Sequence, residues 1–379
     1  MSDVLIYGDT LRSAEMRHEV SLMVPDPFLY IETGGRRHVV VVSLESPRLR
    51  ALDHDLGVHP LEEFGLDDLL AGGADRAQAW LEIVARACRA LHVTAAVVPS
   101  EFPIEVADYL RTAGVAVTPD RELFKARRRV KNPDELAGIR RAQAAAEAGM
   151  RAATQLLRAA EPGAGSLFVD GEPLSCELLK EAVSAAVAAA GASVGDALIV
   201  SHGAQTAVGH ELGSGPIQSG EPVVIDLWPR DPESACFADM TRTFVVGEAP
   251  AEIRRFHALT RDALERSRDA VRPGIAGLEV FRIACETYSQ EGLPTQLTKL
   301  PGEPLESGFF HSLGHGVGLE IHEAPLLGRG PDTLCAGDVV TLEPGCYDPR
   351  VGGCRLEDLV LVTEDGCETL TQFPYDLEP

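Results

Sequence analysis

Five carboxylate and imidazole side chains in the C-terminal half of this sequence have the types and spacing of a two-metal hydrolytic site. They come in two matching halves. SGEPVVIDLWPRD at 219–231 is followed by FADMTRTFVVG at 237–247, and AGDVVTLEPGCY at 336–347 by GGCRLEDLVLV at 352–362. In each half an apolar, strand-like run ends on a carboxylate, Asp226 or Glu343, six residues after a glycine. A turn-rich connection leads, 13 or 14 residues further on, to Asp239 or Glu357, each of which opens another apolar run. Between the halves GHGVGLEIHE at 314–323 supplies His315 and His322.

The chemistry follows from charge. Four carboxylates converging from two β-hairpins repel one another strongly in a shared pocket. Divalent cations remove that conflict, and oxygen-rich ligands with one imidazole suit Mn²⁺, Co²⁺, Fe²⁺ or Zn²⁺ better than a thiolate site would. Two such ions about 3.5–4 Å apart clamp both the attacking and the carbonyl oxygen of a hydrolysis. Taken singly, each acid reads as a solvated turn residue and each histidine as a loop residue. The doubling sets them apart, because solvated acids need not fall at equivalent points of an internal repeat.

Over roughly residues 125–379 these motifs resemble the pita-bread-fold metallopeptidases: methionine aminopeptidase, aminopeptidase P and prolidase. Carried over position by position, the resemblance implies Asp226, Asp239, His315, Glu343 and Glu357 as metal ligands. Glu343 is then also the proton acceptor and donor. His210 in VGHELGSG and His322 in EIHE match the family's substrate-facing histidines, and Arg355 matches the arginine preceding the last ligand in proline-specific members. The connection after Asp226 is longer than the family's, with WPRDPESACF inside it, and reads as an enlarged hairpin loop at the site's rim. His210 follows Gly209 where relatives often have proline, so His202 in VSHGAQ stands as a competing candidate.

The implied reaction is hydrolysis of the Xaa-Pro peptide bond with two divalent ions, Mn²⁺ first and Co²⁺, Zn²⁺ or Fe²⁺ as alternatives. Substrates are short proline-containing peptides, with dipeptides preferred because Arg230 in the enlarged loop would meet a free carboxylate. Arg355 is the second candidate for that role. An Xaa-Pro aminopeptidase acting on longer peptides is the alternative. A metal-free creatinase-like hydrolase and a silent peptide-binding protein remain open, though both are expected to lack part of the ligand set.

The rest of the chain must position these residues. Its 379 residues suit two domains. Residues 1–124 read as an α/β unit similar to the N-terminal domain of prolidase and creatinase, and 125–379 as the duplicated α+β catalytic domain. In the first, FLYIE and HVVVVSLE flank a Gly34-Gly35 hairpin turn. An amphipathic helix is expected at 75–91, a buried strand at 94–100 and a helix at 102–114. The basic run KARRRVK at 125–131 reads as a solvated connector. Asn132, Pro133 and Glu135 then form a capping-box helix start. Helices follow to about 160, at 173–190, from Pro250 to before Pro273, and at 277–291. The order helix, helix, hairpin is thus repeated, which places the two acidic hairpins side by side, with helices on one sheet face and metals on the other.

A net charge of −24 argues against nucleic acid and anionic membrane surfaces as partners. No apolar run approaches a membrane span. The eight cysteines form no Cys-x-x-Cys pair and read as free thiols of a cytoplasmic protein. The resemblance adds a homodimer.

Overall fold

The computed structural model describes residues 2–195 and 198–379. The chain divides into two compact units, residues 1–128 and 129–379.

In the first unit a six-stranded mixed sheet runs in the order Gly57–Pro60, Arg36–Val41, Phe28–Thr33, Asp3–Gly8, Ala95–Val98, Ala116–Pro119. Alternation decides what each face covers. Leu5, Leu29, Ile31 and Val40 join the cluster under helices Arg76–Ala90 and Ile104–Thr112. Their neighbours Val4, Ile6, Phe28, Tyr30, Val39 and Val41 join a second cluster with Met16, Leu49 and Phe124. The basic run is not a solvated connector. Its first residues lie in helix Arg121–Arg129, and Arg127 pairs with Glu19 and Glu32, each at 2.8 Å.

In the second unit Asn132 and Glu135 do form a capping box, at 2.9 and 3.0 Å, and open helix Pro133–Ala159. That helix is rich in alanine because helix Cys176–Ala189 lies close against it. A Cβ on Gly149 would come within 2.9 Å of Val187. The second helix pair is Ala251–Ala270 and Gly277–Gln290, tied by a buried 3.0 Å bond from Tyr288 to Thr260. Each pair packs on its own hydrophobic cluster, one drawn from residues 145–244 and the other from 245–362. The unit is therefore an α+β duplication, as its sequence pattern predicts.

Two hairpins carry the acids. Strands Pro222–Leu227 and Met240–Val245 pair antiparallel, and so do Val339–Leu342 and Asp358–Val362. Every residue of the first pair is buried, yet Asp226 and its cross-strand partner Ile199 both line a single cavity. The acids stand at or beside the strand ends. Asp226 is next to last in its strand, Asp239 and Glu357 immediately precede theirs, and Glu343 immediately follows Val339–Leu342. Side-chain bonds stitch the hairpins together. Thr241 donates to Glu357 at 2.7 Å, Thr243 donates to the Arg355 carbonyl at 2.8 Å, and the Glu357 amide donates to the Thr241 carbonyl at 3.0 Å.

Candidate active site

Asp226, Asp239, His315, Glu343 and Glu357 all line one cavity of about 860 Å³. Single ligand atoms of Asp239, His315 and Glu357 lie within 4.8 Å of one another. His315 Nε2 stands 3.4 Å from Glu343 and 3.8 Å from Asp239. Its Nδ1 is 3.1 Å from the Gly316 carbonyl, which can only accept, so Nδ1 carries the proton and the Nε2 lone pair faces the acids. One oxygen of Asp226 is buried without a hydrogen-bond partner. The other accepts from Arg355.

The electrostatics of this cluster are those of a site short of positive charge. Burial, then Glu357, Asp226 and Glu343, hold the Asp239 carboxyl far above the usual range. Burial, Glu343 and Asp226 do the same to Glu357. Burial and Asp226 push Glu343 up to about 8, against the pull of Arg355. Burial beside His322 lowers His315 to about 4, keeping it neutral. A neutral imidazole lone pair, an unpartnered carboxylate oxygen and acids that cannot all ionise together are the donor set a divalent-ion pair requires.

A sign follows for the metal-free protein. In the folded state Glu343, Asp239 and Glu357 hold protons that the unfolded chain releases near the ordinary carboxylate range. Stability therefore falls as pH rises from about 5 to about 8. The melting temperature of chelator-treated protein is expected to drop across that window, and added Mn²⁺ to remove the slope. A flat metal-free profile would contradict the mutual repulsion of these acids.

Glycines fix the imidazole. His315 sits in strand Gly314–Gly316, between strands Glu323–Leu327 and Val339–Leu342. A Cβ on Gly314 would stand 2.0 Å from the Thr341 carbonyl oxygen, and one on Gly316 2.3 Å from that of Ala324. Backbone on both sides cannot yield without opening the ladder. Gly314→Ala is expected to cost about 1–3 kcal/mol, the range of an overpacked interior. It should read as a lower urea midpoint at unchanged m, with weaker metal retention.

The remaining expected residues divide. His210, His322 and Arg355 line the cavity. The His322 ring lies edge-on to His315, with centroids 4.3 Å apart. His202 does not line the cavity. Its Nδ1 is 2.7 Å from Glu221 and its Nε2 3.2 Å from the Ser214 carbonyl. Nor does Arg230, whose Nε donates to the Ala235 carbonyl at 2.8 Å while the guanidinium stacks 5.3 Å over Phe237. The loop that carries it is pinned to helix Pro133–Ala159 by Arg141–Asp231 at 2.9 Å, and of this loop Trp228 lines the cavity. It is a folded buttress, not a rim element free to close.

Two residues escaped the sequence reading. His311 Nδ1 is 2.8 Å from the Ser312 carbonyl, so Nε2 must accept, at 2.9 Å, from the Tyr347 hydroxyl. The Tyr347 oxygen is then left to accept from Arg355 at 3.5 Å, and Arg355 in turn holds Asp226. Burial and Arg355 lower His311 to about 3, which keeps it neutral for this role. The available signal was its position in HSLGHG, four residues before His315.

Residues 137–364 match the family model described as Metallopeptidase family M24. The Xaa-Pro dipeptidase of Pyrococcus furiosus is 37% identical over 185 residues, 47% of this chain and 48% of that protein. The chain thus spans about half the length of the first curated relatives it matches. The probable dipeptidase PepE of Mycobacterium tuberculosis is 27% identical across 92% of this chain and 84% of its own length. Among solved structures, an X-Pro aminopeptidase from Thermotoga maritima superposes with a TM-score of 0.79 at 22% identity, over 99% of this chain and 97% of that one. A prolidase from Pyrococcus furiosus gives 0.76 at 24% identity, with the same coverage. At these identities the two structures speak for the fold.

Proposed function

Since the chain belongs to metallopeptidase family M24, we propose that it hydrolyses the Xaa-Pro peptide bond, with Xaa-Pro dipeptides among its substrates. The observation that carries this reading is the convergence of four acids and one neutral imidazole on a single cavity. Proline specificity draws support from the dipeptidase that is 37% identical over the matched half.

Asp226, Asp239, His315, Glu343 and Glu357 would hold the ions, which we propose to be Mn²⁺. When bound, such ions polarise a carbonyl and make water a nucleophile at neutral pH. The protein's own groups do the rest. Glu343, with one oxygen 3.4 Å from His315, takes the proton of the attacking water and returns it to the departing proline nitrogen. A Xaa-Pro bond has no N–H to satisfy. The apolar wall of Trp228, Phe310 and Ile321 can therefore face the pyrrolidine ring without leaving a donor unpaired. His322 and His210, both exposed to the cavity, donate to the developing oxyanion. The His311–Tyr347–Arg355 chain orients Asp226.

Among the described residues no helix is long and apolar enough to cross a membrane, and all eight cysteines are free. The free thiols support a cytoplasmic location, and we propose a homodimer there. The direct test is proline release from Ala-Pro with and without Mn²⁺. Metal-dependent release is expected; no release of the N-terminal alanine from either Ala-Pro or Ala-Pro-Ala at any Mn²⁺ concentration would overturn the assignment.

A further inference from the structure

The geometry points to a cavity that does not read a free carboxylate beyond the scissile bond. Substrates carrying a neutral group or a further residue there are then processed at least as well as Xaa-Pro dipeptides. This rests on the Xaa-Pro reading above and specifies the chemistry at the far end of the substrate.

The charges in the cavity carry the inference. Among its described lining residues Arg355 is the one arginine or lysine, and it is only 6% exposed. Its guanidinium is already engaged by Asp226, Thr241 and Tyr347. Against it stand five carboxylates: Asp226, Asp239, Glu323, Glu343 and Glu357. Two divalent ions would offset the four ligand acids, and Glu323 already has Lys131 at 2.6 Å. Arg230 lies outside the lining. Arg329 is exposed and lines an adjoining cavity of about 190 Å³ that shares Phe310, His311 and Ser312 with this one, but it is not among the residues that line the larger cavity.

What the cavity offers away from the acids is apolar surface. Leu212 and Leu326 line it and remain 45% and 38% exposed. A carboxylate desolvated against such a wall without a cation is penalised far more than an amide of the same shape. Space is not limiting. About 860 Å³ is near the top of the ~300–1,000 Å³ range that encloses drug-sized ligands, and a dipeptide is smaller than these.

The decisive comparison is kcat/KM of the Mn²⁺-loaded protein on Ala-Pro, Ala-Pro-NH2 and Ala-Pro-Ala, the first two differing only in the carboxylate. The amide and the tripeptide are expected to equal or exceed the dipeptide. A preference for Ala-Pro over its amide of about tenfold or more, the scale of one charged hydrogen bond, would overturn the proposal. Failure on all three would overturn the Xaa-Pro reading itself and this inference with it. Binding gives a readout independent of turnover. In metal-free protein N-acetylproline is expected to bind no tighter than N-acetylprolinamide by calorimetry, and tenfold tighter binding of the acid would count against the idea. Leu326 is the cross-strand partner of His315 and shares its face. Leu326→Arg should therefore create the missing preference, shifting the dipeptide-to-amide ratio about tenfold. An unchanged ratio would refute the electrostatic basis.

Discussion

Asp239→Asn protein is expected to fold, to lose its metal and to lose its turnover. Asp239 stands within 4.8 Å of both His315 and Glu357 by its ligand atom, and its other acidic neighbours are Asp226 and Glu343. Removing its charge takes one anionic ligand from the centre of the cluster. A bound ion supplies several kcal/mol of transition-state stabilisation, so kcat/KM should fall by about 10³-fold or more, at 1.36 kcal/mol per factor of ten. Stability should move the other way. In the metal-free state burial and the neighbouring acids make Asp239 hold a proton that the unfolded chain has released near neutral pH, and a neutral amide of the same shape removes that cost of folding. The bond from the Met240 amide to Oδ1, 3.1 Å in the parent, survives the substitution. Metal-free Asp239→Asn should therefore melt above the metal-free parent near neutral pH. Full activity with full metal content in this variant would sink the two-metal reading, and a lower metal-free melting temperature would contradict the electrostatic account.

His322→Ala is expected to keep its metal and still lose about 10²–10³-fold in kcat, the scale of one lost oxyanion donor. His322 is seven residues beyond His315 and packs edge-on against it at 4.3 Å, yet it is exposed to the cavity and forms no ion pair with the four acids. Burial and His210 lower its proton affinity, which suits a neutral donor. Metal analysis beside steady-state kinetics separates the possible roles. A fall in metal stoichiometry in step with activity would make His322 a ligand, contrary to the role proposed here.

Legibility followed the range of the interaction. Asp226, Asp239, Glu343 and Glu357 stood out because a hairpin repeats its pattern locally. An apolar run that ends on a carboxylate and resumes after another is written within about two dozen residues. The capping box at Asn132 and Glu135 was equally plain, since both partners lie within one helical turn. Arg230 misled because its loop length was visible while its path was not. The bonds that turn it toward Ala235 and Phe237, and that dock its loop on Arg141, are tertiary. The run at 125–131 misled for the same reason: its charges suggested solvent, whereas Arg127 is met by Glu19 and Glu32 from far along the chain.

The sequence by itself determined the α+β duplication, the two acidic hairpins and the Gly-His-Gly segment between them, because strand alternation, helix caps and carboxylate spacing are properties of neighbouring residues. Only the tertiary structure decided which groups share the cavity. It brought His210 in and left His202 on Glu221, set Arg355 on Asp226, and assembled His311 and Tyr347 behind that pair. It also left no uncommitted arginine or lysine among the described residues of the cavity wall. The physical reason is that a proton's position or a charge's partner is set by distances of about 3 Å between atoms, and here those atoms are joined by more than a hundred residues of chain, as Arg355 is to Asp226.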